Sequence, residues 1–577
     1  MLRPWVGYIV AVSLISAAVG AVVWFWPMQI ELETPEPDSQ ELLALPNIGQ
    51  DEPKPQTPQA VVLPEGVNIR FVDVSANAGI QSQYPSVPSN ADSITTEIGT
   101  GIGWIDYDQD GLLDLFVAQE CKLFKNLGSG KFRDVTEEVG LARVGHGLGV
   151  AVGDIDNDGY PDLFITCHDK PNRLFHNLSD GKGGRRFRDI SVQAGLAARS
   201  EAQTTTSTSA AFLDYNNDGH LDLFVCSYSD TAQSANSPAT HCLLYRNNGN
   251  GTFTDVSQEA GITESWGKAL GVVALDLDDD GQTDIFVTTE RTGNLLFHNL
   301  GNGRFQSMGP SCGCMVNAAA TAQSYRGVDA DDLVGAGRPD LFATSSFQET
   351  KPIWRNEGKC RFLDVGRLTG LGPPTWYQSG FGTCLLDVDR DGSLDIFVAN
   401  GHVSRLADEM GNSDITFQQH AQLFLNDGRG RFREISSRAG PYFRTCHLGR
   451  AVAYADYDND GHIDLALNNS EGPPILLHNE SSTPNHWIRL ELRGTKSNRD
   501  AVGAKVTVHA GGRKLVRHRK GGGGYLSASD PRLLIGLGAA QRVDKVEIRW
   551  PGSSRVQEVG PLVAGRGYVI VEEMASP

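Results

Sequence analysis

Short apolar runs of four to six residues, rich in Val, Phe, Leu and Ile and bounded by Gly, Asn and Asp, recur along most of the chain. Runs this short, punctuated by turn residues, predict strands rather than helices. Two polar elements separate them. The first is a nonapeptide, D-x-[DN]-x-D-G-x-x-D, followed each time by a run such as LFV; it starts at Asp106, Asp154, Asp214, Asp276, Asp387 and Asp456. A decayed copy starts at Asp332, where Val334 and Ala336 replace the second and third acids. The second element is an apolar pair, then Asn, a Gly-rich turn and F-x-[DE]-[VI], as in LFKNLGSGKFRDVT (123–136), LLYRNNGNGTFTDVS (243–257) and LFLNDGRGRFREIS (423–436). The seven loop starts lie 48 to 69 residues apart. About four short strands per repeat of this length predict a β-propeller.

The order of the elements predicts how the ring closes. The Phe of the second element falls at Phe71, Phe132, Phe187, Phe253, Phe305, Phe362 and Phe432, so the series begins before the first acidic loop. The last loop, 456–464, is followed by no F-x-D. The segment IRFVDVS (69–75) is therefore expected to supply the outer strand of the last blade, removing the open edges of an unclosed ring. The expected fold is all-β: a seven-bladed propeller over 67–483, closed by an N-terminal strand, then a small all-β domain over 484–573.

The N-terminus departs from this pattern. Residues 5–28 carry no charge, enough to cross a bilayer core that needs about 20 residues. Aromatic residues flank both ends, Arg3 precedes the segment and Glu31, Glu33, Glu36 and Asp38 follow it. The positive-inside rule places the N-terminus in the cytoplasm and the rest outside. The expectation is an N-terminal transmembrane anchor over 1–28, single-pass. The alternative is a cleaved signal peptide ending near Val19-Gly20-Ala21, which would leave the protein secreted. Residues 29–66 are rich in Pro and acids without an apolar period and read as an extended tether.

Charge sharpens the picture. The 577 residues carry 70 Asp and Glu against 50 Lys and Arg, a net charge of -20. Such a balance argues against nucleic-acid binding, which needs a basic surface. From residue 484 onward 16 Lys and Arg face 8 Asp and Glu, so the C-terminal domain is basic and everything before it strongly acidic.

The acidic loops point to a hard cation. Asp or Asn at positions 1, 3 and 5 can converge oxygens on one point, Gly at 6 makes the sharp turn, and Asp at 9 can bind through both oxygens. Ca²⁺ takes 6–8 oxygen ligands and tolerates irregular geometry, whereas Zn²⁺ prefers Cys and His. The candidate Ca²⁺ ligands are Asp106, Asp108, Asp110 and Asp114; Asp154, Asp156, Asp158 and Asp162; Asp214, Asn216, Asp218 and Asp222; Asp276, Asp278, Asp280 and Asp284; Asp387, Asp389, Asp391 and Asp395; and Asp456, Asp458, Asp460 and Asp464. The spacing shares the first half of an EF-hand loop, but position 12 is apolar and the flanks read as strands. Asx turns alone would explain one or two acids, not four within nine residues that repel one another. The loop at 332–340 is expected to be empty or weak. Six bound Ca²⁺ would bring the net charge from -20 to -8.

With loops of the DYDNDGHIDL type on propeller-like strands, the chain resembles FG-GAP/VCBS repeats such as those of the integrin α head. The segments NRDAVGAKVTVHAGG (498–512), GGGYLSASDPRLLIGLG (522–538) and VEIRWPG (546–552) resemble the ASPIC/UnbV domain. The pair in this order resembles the cartilage acidic protein family and its bacterial relatives. The resemblance implies extracellular Ca²⁺ binding and adhesion-like roles, with no settled molecular activity.

Other residues add narrower expectations. There are nine cysteines, and Cys226 and Cys242 flank a loop between two strands, where a hairpin-closing disulfide suits an exported protein. Cys312-Gly-Cys314 has no assignment. His176, His298 and His478 share one repeated position before Asn and are read as structural; His402 and His447 could line a face or channel. Arg513, Lys514, Arg517, Arg519 and Lys520 form the sharpest basic run, read as a solvated strand face, a polyanion patch or a surface docking on the acidic propeller. Sequons occur at Asn177, Asn250, Asn468 and Asn479. No G-x-S-x-G, H-E-x-x-H or Walker loop occurs. The expected function is a membrane-anchored, extracytoplasmic, calcium-binding scaffold for a protein or glycan ligand. The alternatives are a polysaccharide hydrolase or lyase, with Asp408, Glu409 and Asp414 as candidate carboxylates, and an envelope assembly factor.

Overall fold

The structure, a computed structural model, describes residues 63–80, 97–141, 147–168, 170–196, 206–229, 241–317, 320–409 and 416–573. The apolar segment 5–28, most of the linker, and Asp414 lie outside them. Among the described residues no helix is long and apolar enough to cross a membrane.

The repeat folds as the alternation of apolar runs and turns dictates. Each unit is an antiparallel meander of four strands; the first runs Ile102–Ile105, Asp114–Val117, Lys122–Asn126 and Phe132–Asp134. The nine-residue acidic loop always joins strands one and two, and its last Asp opens strand two. Strands one and two are buried on both faces, as in Thr206–Leu213 and Asp222–Tyr228. That explains why they read as continuous rather than alternating apolar runs. Among the described residues seven such meanders occur. Their first strands neighbour one another in a closed series: Ile102–Ile105, Val150–Gly153, Thr206–Leu213, Ala269–Leu275, Tyr325–Asp331, Gly380–Leu386, Gly449–Ala455, and back to Ile102–Ile105.

The last meander takes its outer strand from the other end of the chain. Phe71–Asp73 pairs antiparallel with Ile475–Asn479, in the register Phe71↔Asn479 and Asp73↔Leu477. Apolar clusters fill the spaces between neighbouring sheets. One of them packs Phe71 against Leu477 and, from the preceding meander, Phe397 and Leu423.

The C-terminal part is all-β. His486–Arg493 pairs antiparallel with Leu533–Gly538 and parallel with Arg566–Val571. A second sheet orders Arg513–His518, Lys505–Ala510, Lys545–Arg549 and Val556–Val559. Ile488, Val506, Ile535, Val546, Ile548 and Trp550 form the core between them.

One segment of this domain enters the ring. Gly521 and Gly522 pair with Ala274 and Val273. Gly524 bridges Val328. Tyr525 packs edge-on against Phe381, and Leu526 donates its N–H to Ser209 Oγ at 3.1 Å while its carbonyl accepts from Val150. Ala528 accepts from the Trp104 N–H and Asp530 donates to the Tyr454 carbonyl, both at 2.9 Å. These partners represent all seven innermost strands, so 521–530 runs along the axis of the ring. The glycines permit the approach: a Cβ on Gly521 would lie 2.3 Å from the Phe212 carbonyl oxygen, and Gly522, Gly523 and Gly524 hold φ of 67°, 96° and 81°.

Candidate metal centres at the acidic loops

Every loop is built on the same backbone scaffold. The residue at position 4 and the Gly at position 6 both take positive φ, as Gln109 (58°) and Gly111 (84°) do in the first loop. Position 1 caps the turn: Asp106 Oδ1 accepts from the Asp110 N–H at 3.1 Å and Oδ2 from Gly111 at 3.0 Å. Position 9 ties the loop to strand three, since Asp114 Oδ1 accepts from the Asn126 N–H at 2.8 Å and Oδ2 from Tyr107 at 3.3 Å. The degenerate loop keeps all of this. Asp332 accepts from Ala336 and Gly337, and Asp340 from Leu333 and Asn356. Positions 1 and 9 thus have a turn-forming duty of their own, and that is why they alone survive there.

The Asn that follows in strand three locks one meander to the preceding one. Asn299 Nδ2 donates to the Thr283 carbonyl of its own unit and to the Tyr215 carbonyl of the unit before, at 3.0 and 2.8 Å. Asn126, Asn177, Asn247, Asn356 and Asn426 make the equivalent pair of bonds. The repeat pattern displayed this Asn, but its partners are distant in sequence and could not be read there.

Positions 1, 3 and 9 converge in the first loop, and positions 1, 3 and 5 in the second. Donor atoms of Asp106, Asp108 and Asp114 lie within 4.8 Å of one another, as do those of Asp154, Asp156 and Asp158. Buried carboxylate oxygens without a hydrogen-bond partner occur in four loops: Asp108 Oδ1, Asp278 Oδ1, Asp387 Oδ1 and Asp458 Oδ1. Burial pushes the carboxyls of Asp114 and Asp387 up to about 8 and that of Asp154 to about 7. Desolvated acids with orphaned oxygens fit a divalent cation held by oxygen ligands. In the sixth loop Asp387, Asp389 and Asp395 are buried, and the residue before Asn426 is the uncharged Leu425.

In four other meanders the residue before Asn reaches the loop. Lys125 Nζ contacts Asp108, and lies 3.1 Å from Asp110. His176 Nε2 lies 3.0 Å from Asp156; His298 and His478 Nδ1 lie 3.0 and 3.1 Å from Asp284 and Asp464. These histidines, read as merely structural in the sequence, are neighbours of the candidate ligands, because alternate residues of strand three face the loop. The acid at position 9 pushes His298 up to about 8.

The C-terminal domain sits on these loops. Arg489 Nη1 pairs with Asp456 Oδ2 at 2.8 Å, Arg549 Nη2 with Asp276 Oδ2 at 2.5 Å, and the Gly536 N–H donates to Asp387 Oδ2 at 3.1 Å. The Asp154 N–H donates to Asp500 at 3.0 Å. The basic run mostly faces the same way: Lys520 pairs with Asp329, His518 with Asp331 at 2.8 Å, and Arg517 Nη2 donates to the Gly392 carbonyl at 3.0 Å. Arg519 Nη1 donates to the Lys520 carbonyl at 3.1 Å, and Arg513 to that of Asp391. The run is therefore a docking face rather than a free polyanion patch; Arg513 and Lys514 are its exposed members.

Other candidates resolve as follows. Cys226 and Cys242 sit together in the core, where packing rather than a disulfide closes the hairpin. His402 is buried and packs on Phe347, and His447 stacks on Tyr442. Asp408 caps the Phe417 N–H at 2.8 Å. Asn177, Asn468 and Asn479 are buried, which leaves Asn250 as the exposed sequon asparagine.

FG-GAP-like repeat matches residues 106–165, 154–225, 234–287, 276–343 and 387–467, more than half of the chain. ASPIC and UnbV matches 494–577. Cartilage acidic protein 1 of Mus musculus is 25% identical over 501 residues, covering 82% of this chain and 73% of its own; that of Homo sapiens is 25% identical over 511, covering 82% and 71%. Among solved structures the Dos1 propeller aligns with a TM-score of 0.34 at 7% identity, covering 64% of this chain and 74% of its own. The chain belongs to the FG-GAP-like repeat family and carries an ASPIC and UnbV domain at its C-terminal end.

Proposed function

We propose that this protein is a calcium-binding scaffold: a seven-bladed propeller, held at a membrane by residues 1–28 with its bulk outside the cytoplasm, presenting a surface to a protein or glycan ligand. One observation carries the calcium reading. Buried carboxylates converge at repeated loops, with oxygens that have no partner in the protein. Bound Ca²⁺ would supply a counter-charge that lets those acids ionise; the loops hold it, and the C-terminal domain packs over them. Calcium occupancy and domain docking are then linked at the same aspartates. The axial segment 521–530 fills the position where a propeller enzyme would place a substrate, which favours a binding surface on the rim over catalysis in the channel.

Melting of the purified full-length chain in EDTA and in calcium tests the reading. Extracellular modules bind Ca²⁺ at about 10⁻⁴–10⁻³ M, so about 10 mM Ca²⁺ should stabilise the fold by up to about 2.7 kcal/mol per site. An unchanged melting temperature in low salt would refute calcium binding. Retention in the membrane pellet after an alkaline wash is expected of an anchored protein, and release would refute the anchor. Capture of one ligand from native membranes with calcium, and its loss without, is the outcome expected of the scaffold.

A further inference from the structure

We propose that the fourth acidic loop, 276–284, joins with His298 and Cys360 to form a sulfur–nitrogen–oxygen site for Zn²⁺ or a similar transition-metal ion. The site rests on its own residues and does not depend on calcium binding elsewhere.

Its donors come from two neighbouring meanders. Cys360 Sγ lies 3.6 Å from Asp284 Oδ2 and 3.7 Å from His298 Nδ1. His298 Nδ1 lies 3.0 Å from Asp284 Oδ1 and 3.9 Å from Asp278 Oδ2. One donor atom from each of Asp278, Asp284, His298 and Cys360 falls within 4.8 Å of the others. With Zn–S of about 2.3 Å and Zn–N or Zn–O of about 2.0 Å, a tetrahedron has edges of about 3.3–3.6 Å. The observed separations bracket those edges.

The register of the repeat explains how a cysteine gets there. In the hairpin between strands three and four, Gly130, Gly251, Gly303 and Gly430 occupy one position, with φ of 68° to 78°. Cys360 stands at that position in the fifth meander and keeps the turn, at φ 52°. A side chain there points at the acidic loop of the preceding meander: a Cβ on Gly430 would meet Val334 Cγ1, at position 3 of its loop, at 2.7 Å. In the fifth meander the same direction leads to the loop at 276–284. Left-handed backbone disfavours a non-glycine residue, so the thiol is held in place against a local preference for glycine.

A second observation points to a ligand. Asp278 Oδ1 is buried without a hydrogen-bond partner beside these donors. Meanwhile Asp276 is engaged elsewhere: its oxygens accept from Asp279, Asp280 and Gly281, and Arg549 pairs with it at 2.5 Å. What remains is four-coordinate, with one soft thiol, one imidazole and two carboxylates. Ca²⁺ takes oxygen ligands, in sets of six to eight, whereas thiolate with imidazole suits Zn²⁺.

Cobalt(II) is the probe. The full-length chain is reduced, stripped with chelator, saturated with Ca²⁺ and titrated with Co²⁺. One equivalent should give a thiolate-to-cobalt charge-transfer band that Zn²⁺ abolishes and excess Ca²⁺ leaves unchanged. Cys360→Ser should remove the band while the calcium-dependent melting shift persists, and His298→Gln should weaken Co²⁺ by about 10-fold or more. No band with Cys360 reduced, a band that persists in Cys360→Ser, or Cys360 found in a disulfide would overturn the site. Failure of the calcium reading shows separately, as melting unaffected by Ca²⁺.

Discussion

Asp340 Oδ1 accepts a hydrogen bond from the Asn356 N–H at 2.9 Å, although the loop that Asp340 closes has lost two of its four acids. The bond recurs at all six intact loops, from Asp114–Asn126 to Asp464–Asn479. Position 9 therefore supports the fold whether or not a cation is bound.

Asp340→Ala should accordingly destabilise the protein by about 1–3 kcal/mol, the cost of leaving buried N–H groups unpaired, equally in EDTA and in calcium. Asp458→Asn should leave the EDTA melting temperature nearly unchanged and reduce the calcium-induced rise. Paired melting curves check both, and the opposite pattern would reverse the assigned roles.

The calcium-free fold should weaken as pH rises. Burial holds Asp387 and Asp114 up to about 8 and Asp154 up to about 7, from 3.8 when unfolded. A carboxyl raised on folding gives its full stabilisation below its unfolded pKa and loses it as pH climbs through the folded one. Melting temperature in EDTA should fall between about pH 4 and 8 and level off above, while calcium, which binds the ionised acids, should reverse that trend. Parallel curves in the two conditions would contradict the assignment.

The inter-sheet asparagines should be costly to lose. Asn299→Ala leaves the buried Tyr215 and Thr283 carbonyls without their donor. Denaturant unfolding should show a loss of about 2–5 kcal/mol. A loss below about 0.5 kcal/mol, as at an ordinary surface site, would refute the lock.

Gly101→Ala tests the axial segment. A Cβ there would lie 1.9 Å from the Leu526 carbonyl oxygen, so the substitution must shift 521–530 or the ring, at about 1–3 kcal/mol. Limited proteolysis should cut between Lys520 and Arg532 faster than in the parent chain. Unchanged cleavage would mean that the contact is readily relieved elsewhere.

Much of this arrangement was legible in the sequence, because its signals are local. The nine-residue acidic pattern sits between strands one and two, and the early Phe71 foretold that the N-terminal strand pairs with the last meander. The long-range relations were not legible. Nothing near Cys360 announces that it faces Asp284 across two meanders, and the run Gly521–Gly524 gives no sign that it opens a segment lying against seven strands. His176, His298 and His478 looked structural because their acidic neighbours are 14 to 20 residues away in sequence.

The pairing of Phe71–Asp73 with Ile475–Asn479 also orders events during synthesis. Arg70 donates its N–H to Ser481 Oγ, a partner 411 positions later, so the first strand made waits for nearly the whole chain before it finds its place. Until then both sheet edges stay open, and contacts so distant form slowly. The axial segment is made later still and needs all seven inner strands. A chain truncated before residue 521 can close its ring but cannot fill it, so seating of that segment reports that the preceding 400 or so residues have assembled correctly.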